Sequence, residues 1–263
     1  MLPMSLIRLV EDLVLSDSYI AGYPPPRSSA EGDPYGMKFI GQSRFTAAFR
    51  NSRLASACMK YKTLSFRHAD VILREPGFAQ ESEELLSVLS TITDQEIMDQ
   101  HESYSGSQKS LSRAINDKLK HYLTDHGWAA ESPIFQDTRY SGEKWRLDFA
   151  KGLISVEVAF NHGEATAWNL LKPVLASELN HVEKAIQTQA GVIITCTEAL
   201  KAEGGFDSAV GTFEKFIDYL KPLGSVLTVP ILLIGLEPFN TFYIQHRQAG
   251  PRKKTGDVVM KGG

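Results

Sequence analysis

Residues Trp145–His162 read WRLDFAKGLISVEVAFNH. Two short apolar runs, Trp145–Phe149 and Leu153–Phe160, are separated by Lys151-Gly152, a hairpin-like turn signal. Each run carries one acid among apolar neighbours, Asp148 in the first and Glu157 in the second. A carboxylate on a strand that faces a core is costly unless something pairs it. Residues two apart on a strand share a face, so Glu157 and Ala159 point the same way. Across the hairpin, Asp148 meets Glu157 on that face. Two acids at such a crossing suit a hard cation with oxygen ligands, usually a hydrated Mg²⁺. The plainer alternative is a pair of solvated acids on an edge strand.

Working outward, the C-terminal half alternates helical and strand patterns. Spacing predicts a helix over Trp168–Gln189, with Pro173 tolerable only near its first turn. Ala190–Thr195 (AGVIIT) suits a buried parallel strand, Phe206–Leu220 a further helix, and Val229–Gly235 (VPILLIG) another buried strand. Phe242–Gln245 is expected as an edge strand before a basic tail. On the N-terminal side, Ser110–Asp125 has a helical stripe (Leu111, Ile115, Leu119, Tyr122) closed by Gly127, and Trp128–Phe135 leads into the paired strands. Helical patterns also cover His68–Leu73, Gln80–Ile92 and Leu2–Leu15, while the Pro-rich Tyr23–Tyr35 reads as a loop. The expected fold is α/β: a mixed β-sheet flanked by helices, with an added N-terminal helical region. Residues 1–66 are expected as a basic N-terminal extension and residues 67–263 as the core with its basic tail.

At 263 residues the chain is long enough for one large domain or a core with an added subdomain. Its composition, 43% hydrophobic and 22% charged, is that of an ordinary soluble globular protein. No apolar run approaches the roughly 20 residues of a membrane span, so no membrane partner is expected. The start MLPMSLIRLVEDLVL carries acids within its apolar stretch and lacks the pattern of a signal peptide. Cys58 and Cys196 stand far apart without metal-like spacing and read as reduced, buried thiols, which points to the cytoplasm. The net charge of −3 argues against a blanket nucleic-acid coat. Its distribution says more. Eight Lys/Arg (27, 38, 44, 50, 53, 60, 62, 67) lie between Arg27 and Arg67, and a second basic run holds Arg247, Arg252, Lys253, Lys254 and Lys261. Local basic surface on a mildly acidic body suits a polyanion held in one cleft. The aromatics between Phe39 and Phe66 read first as core.

The acid pair resembles the active site of PD-(D/E)xK nucleases, in which an acid precedes a strand bearing E-x-K, E-x-E or E-x-Q. Several strings are similar to the BglII restriction endonuclease family, in the BamHI/BglII/BstYI branch. They are His68-Ala69-Asp70-Val71-Ile72-Leu73, Leu147-Asp148-Phe149, Val156-Glu157-Val158-x-Phe160, Ser177-Glu178-Leu179-x-His181, Val192-Ile193-Ile194-Thr195, Val229-Pro230-Ile231 and Arg252-Lys253-Lys254-x-Gly256. The resemblance spans roughly residues 67–258. It implies a homodimer that cleaves both strands of double-stranded DNA at a short palindromic site with Mg²⁺. It also implies that Asp148 and Glu157 are catalytic metal ligands. Ala159 stands where the family has Glu or Gln and other nucleases have Lys. A methyl group binds no metal, accepts no proton and orients no water. Either the chain is an enzyme disabled at that position, the favoured expectation, or the site borrows its third group elsewhere.

Asn161 and His162 lie where the resemblance places the approach to the scissile phosphate and base edges. Lys172, with Lys151, is expected to assist at the phosphate, and Arg252, Lys253 and Lys254 to contact phosphates along the duplex. Asn116, Asp117 and Glu131 are further candidates for completing the metal site. The scattered histidines lack zinc or HNH spacing, and no G-x-S-x-G, Walker or G-x-G-x-x-G motif occurs. Two other classes compete: a non-cleaving sequence-specific DNA-binding protein on a degenerate nuclease fold, and a metal-dependent enzyme acting on a smaller substrate.

Overall fold

The computed structural model describes residues 33–40, 58–178, 182–251 and 253–262. The helix expected at Leu2–Leu15, most of the Pro-rich loop and Arg27, Arg44, Arg50 and Arg53 lie outside the described residues.

Layering follows from alternation along the central strands. Strand β1 is Lys38–Ile40, β2 Tyr61–Phe66, β3 Ala129–Pro133, β4 Arg146–Lys151, β5 Ile154–Val158, β6 Ala190–Cys196 and β7 Ile231–Leu236. They form one seven-stranded sheet in the order β1-β2-β7-β6-β5-β4-β3. The β5–β6 and β6–β7 pairs are parallel and the others antiparallel. Every residue of β6 and β7 is buried, as expected of strands covered on both faces. Ile154, Val156, Val192, Ile194, Leu232 and Ile234 join one apolar cluster. Their neighbours Ile193, Ile231 and Leu233 join another on the opposite face.

The first face is covered by α1 (Ala69–Ile72), α2 (Ala79–Thr91), α3 (Asp94–Ser103) and α4 (Ser112–Asp125). The second is covered by α5 (Thr166–Ser177) and α7 (Phe213–Leu220), while the short α6 (Glu198–Glu203) follows β6. A mixed sheet flanked by helices is the fold class expected from the sequence. A third cluster (Ile134, Phe135, Leu147, Ala150, Ala176) seals the β3–β4 end, where Phe135, Tyr140, Trp145 and Trp168 meet ring to ring.

Several expectations are corrected. β2 lies inside the sheet, hydrogen-bonded to β7 along its whole length, so residues 61–66 belong to the core and not to the extension drawn as 1–66. Tyr61 and Phe66 are buried, which is why an aromatic-rich stretch pairs inward. The helix expected over Trp168–Gln189 ends at Ser177, with Glu178 extended (ψ 142). Beyond it, Lys184 bridges to Phe135, and Gln189 and Ala190 bond Leu153, so the backbone turns back toward the sheet. Pro173 sits in the interior of α5, not in its first turn. Its ring rests on Gly191 of β6, where a Cβ would come within 2.6 Å of Pro173 Cβ, so the helix is seated directly on the strand. The helix expected over Phe206–Leu220 begins at Phe213, where the Thr212 hydroxyl caps it.

The basic tail is also corrected. Residues after Phe242 form a separate two-stranded ribbon, β8 (Phe242–Gly250) with β9 (Lys253–Met260), and not an edge strand of the main sheet. Its base is anchored: Phe242, Ile244 and Thr255 are buried, and the His101 ring donates to the Gly256 carbonyl at 2.9 Å. Gln245–Ala249 near the tip are exposed. Among the described residues no helix is long and apolar enough to cross a membrane.

Candidate active site

The hairpin turn is tighter than the Lys151-Gly152 signal suggests. Lys151 pairs with Ile154, leaving Gly152-Leu153 as a two-residue loop. Gly152 has φ +53, the left-handed conformation that a primed hairpin turn asks of its first loop residue. Register then places the acids. Phe149 opposes Val156, so the preceding Asp148 lies across from Glu157. Val156 and Phe149 point into the α2–α4 cluster, so Asp148 and Glu157 face the α5 side.

Asp148 is partly buried, and its Oδ2 accepts the Val158 N–H at 2.6 Å, so the carboxylate caps the strand it faces. Glu157 is 1% exposed. Its Oε2 accepts from Lys172 Nζ at 2.6 Å, while its Oε1 is buried and has no partner. Burial pushes the Asp148 carboxyl up, the Val158 N–H and Lys172 pull it down, and the Glu131 charge adds to the rise. Burial raises Glu157 to about 8, helped by the Asp148 charge and opposed by Lys172. Two acids opposed on neighbouring strands, one with an unsatisfied buried oxygen, attract positive charge.

Glu131 extends this row. On β3, Ala130 opposes Phe149 and Ser132 opposes Leu147, which sets Glu131 beside Asp148. Glu131 is a non-glycine residue at φ +52, backbone strain of the kind that collects at functional sites. Among the described residues no three His, Cys, Asp or Glu side chains are grouped closely enough to hold a metal by themselves. Two opposed carboxylates suit a divalent ion that keeps part of its water shell.

The other expected site residues divide. Ala159 directly follows β5 and is buried in the cluster with Leu170, Val174, Ile193 and Phe213. Asn161 and His162 are exposed just beyond it, with the Asn161 amide oxygen accepting from Asn169 at 3.1 Å and His162 bridged to Val210. Lys172, expected to assist at the phosphate, is 8% exposed and paired with Glu157. It lies on the buried stripe of α5, a position that the helix's period allowed but its charge disguised. Lys253 and Lys254 are exposed on β9, and Arg252 lies outside the described residues. Lys151 is held by Glu84 at 2.6 Å and the His126 carbonyl at 2.7 Å, away from the acids. Asp117, on α4, accepts from the Tyr104 hydroxyl at the end of α3. Of the N-terminal basic run, Lys62 pairs with Glu214 and Arg67 donates to the Leu227 and Gly224 carbonyls, so these charges serve the protein's own contacts.

A mixed sheet of this order, flanked by helices, is a restriction-endonuclease fold. Among solved structures the chain is similar to restriction endonuclease BglII complexed with a DNA 16-mer, at 22% identity and TM-score 0.53, over 77% of this chain and 100% of that one. Free BglII aligns over the same shares at 22% identity with TM-score 0.42. A search of curated protein sequences finds no match. The family described as Restriction endonuclease BglII/BglIII matches residues 61–236, and the chain belongs to that family. Membership and fold together support a type II restriction enzyme.

Proposed function

We propose that the chain is a Mg²⁺-dependent type II restriction endonuclease: a cytoplasmic homodimer that hydrolyses both strands of double-stranded DNA at a short palindromic site. The observation that carries this reading is the acid pair, Asp148 opposite Glu157, with Glu157 Oε1 buried and unpartnered in a chain of this family. Asp148 and Glu157 would hold Mg²⁺, which when bound supplies positive charge at the reacting phosphate. The chain's own groups do the rest. Glu157 is fixed on an inner strand, Asp148 is oriented by the Val158 N–H, and exposed Asn161 and His162 border the site. Lys253 and Lys254, exposed at the start of β9, suit phosphates farther along the duplex, and Arg252 precedes them in the sequence. One acid pair per 29.2 kDa chain cuts both strands of a palindrome only if two copies face each other across its two-fold axis.

Ala159 favours a second reading, a sequence-specific DNA-binding protein that does not cut, since its methyl adds nothing to the acid pair. Incubation with plasmid DNA, gel shift of a cleaved or bound duplex and sedimentation separate the two. The endonuclease reading expects Mg²⁺-dependent double-strand cuts at one palindrome and a dimer on the duplex. A duplex shifted in Ca²⁺ yet uncut in Mg²⁺ selects the binding protein. A strict monomer, one per palindrome, removes the two-fold arrangement.

A further inference from the structure

We propose that Lys172, reaching in from α5, is the third side chain of the hydrolytic site, in place of the group that Ala159 lacks. The inference rests on the endonuclease reading above and makes the chain a competent enzyme, not a disabled one. Ala159 is 2% exposed inside an apolar cluster. Its N–H is bonded to the Ile194 carbonyl at 2.8 Å and its carbonyl to the Thr195 hydroxyl at 2.8 Å, so nothing there is free to act. Lys172 occupies the missing role from another element: its Nζ stands 2.6 Å from Glu157 Oε2, and its charge also acts on Asp148.

A purely structural counter-ion fits the same place less well. A buried ion pair is favourable only when its remaining polar atoms are satisfied. Here Glu157 Oε1 stays buried without a partner, and the two carboxylates outnumber the one ammonium. With both carboxyls ionised the cluster carries one net negative charge, which a divalent cation would meet. An ammonium has three N–H donors, and among the described residues Lys172 uses one, on Glu157. The others are available to a phosphate oxygen or to the attacking water. In hydrolysis the water oxygen bonds phosphorus and one ester P–O bond breaks. The proton shed by that water is matched by one that the leaving oxygen takes from solvent. Lys172 holds the oxygen in line and offsets the charge that grows at phosphorus.

The test uses the full chain, its Lys172→Met and Lys172→Gln variants, and the double variant Ala159→Lys/Lys172→Met. Readouts are single-turnover cleavage in Mg²⁺, duplex binding in Ca²⁺, and Ca²⁺ binding by calorimetry without DNA. The unaltered chain is expected to cut, and either single variant to cut at least about 100-fold more slowly. Duplex binding should stay within about threefold, since phosphate contacts elsewhere dominate it. Ca²⁺ should bind the single variants more tightly, because the ammonium no longer competes for Glu157, and the double variant should regain part of the rate. Two variants of different polarity guard against a loss caused by misfolding of one. Single variants that cut at the unaltered rate, or that bind Ca²⁺ no more tightly, overturn the proposal. An unaltered chain that binds the duplex but never cuts it overturns the proposal and leaves DNA binding standing. One that binds no duplex at all removes the underlying reading as well.

Discussion

On the face of the sheet covered by α2, α3 and α4, the strands present Ile154, Val156, Val192, Ile194, Leu232 and Ile234, all apolar. On the opposite face of β4 and β5 the inserted residues are Asp148, Ser155 and Glu157, and α5 brings Lys172 to meet them. The backbone is shared, so the contrast lies in side chains one position apart. Burying each large aliphatic on the first face stabilises the fold by about 1.5–3 kcal/mol. The second face spends burial on charges, which cost stability unless a cation arrives. One face holds the sheet rigid, and the other uses that rigidity to keep two like charges together.

The sharpest break in this contrast is Asp148→Asn. The amide oxygen can still accept the Val158 N–H, so the hairpin should survive. Cleavage should fall about a thousandfold or more, as a charged ligand is lost. Unfolding of the metal-free protein should show the reverse sign of effect, a gain. Glu157 titrates at about 8 in the fold against an ordinary 4.5, so it favours the folded state fully below 4.5 and loses that contribution as pH rises through about 8. Removing the Asp148 charge should flatten that loss, which thermal unfolding across this range will read. An unchanged pH profile would show that the acids do not feel each other.

Ile194→Ala tests the other face of the same sheet. It should cost about 2–5 kcal/mol in denaturant unfolding, while the folded fraction cuts DNA at the unaltered rate. A slowed rate per folded molecule would mean that the faces are not separable. The smallest effect concerns neither face. Replacing Arg252 together with Lys253 and Lys254, the last two exposed on β9, by Ala should leave the unfolding temperature unchanged and weaken specific and non-specific DNA binding together. The salt dependence should flatten by up to about three units of slope, measured by binding at several ionic strengths. An unaltered slope would leave the ribbon without a phosphate role.

How much of this the sequence displays depends on how local each signal is. The β4–β5 hairpin is legible because its turn glycine, its alternation and its two acids fall within one short stretch. β6 and β7 are legible because strands buried on both faces are unbroken apolar runs. α3 escapes a search for apolar periodicity, since DQEIMDQHES has little apolar content. Its capping box, Thr93 with Glu96, was the readable sign. The end of α5 was hidden because Val182 and Ile186 continue a helical spacing that the backbone abandons after Ser177. The ribbon was masked by its own lysines and arginines, which look like a solvated tail until Thr255, Val258 and Val259 are set against β8. The burial of Lys172 is not a local property at all. It exists only once α5 is laid across β5, a contact that links distant parts of the chain.

The seating of Pro173 on Gly191 ties the height of α5 above the sheet to a residue outside the acid pair. A methyl group at position 191 would lie 2.6 Å from the proline ring, whereas carbon atoms settle at about 3.5–4.0 Å, so α5 would have to lift by roughly an ångström. Lys172 immediately precedes Pro173 and would be carried outward with it. Misplacement on the order of 1 Å in a reacting array can cost about a hundredfold in rate. Gly191→Ala would then leave both acids, the ribbon and most of the core as they are, and yield a slow enzyme with no altered residue at its site. On the role proposed for Lys172, the rate of hydrolysis would answer to a glycine beneath the helix, which single-turnover cleavage by Gly191→Ala reads.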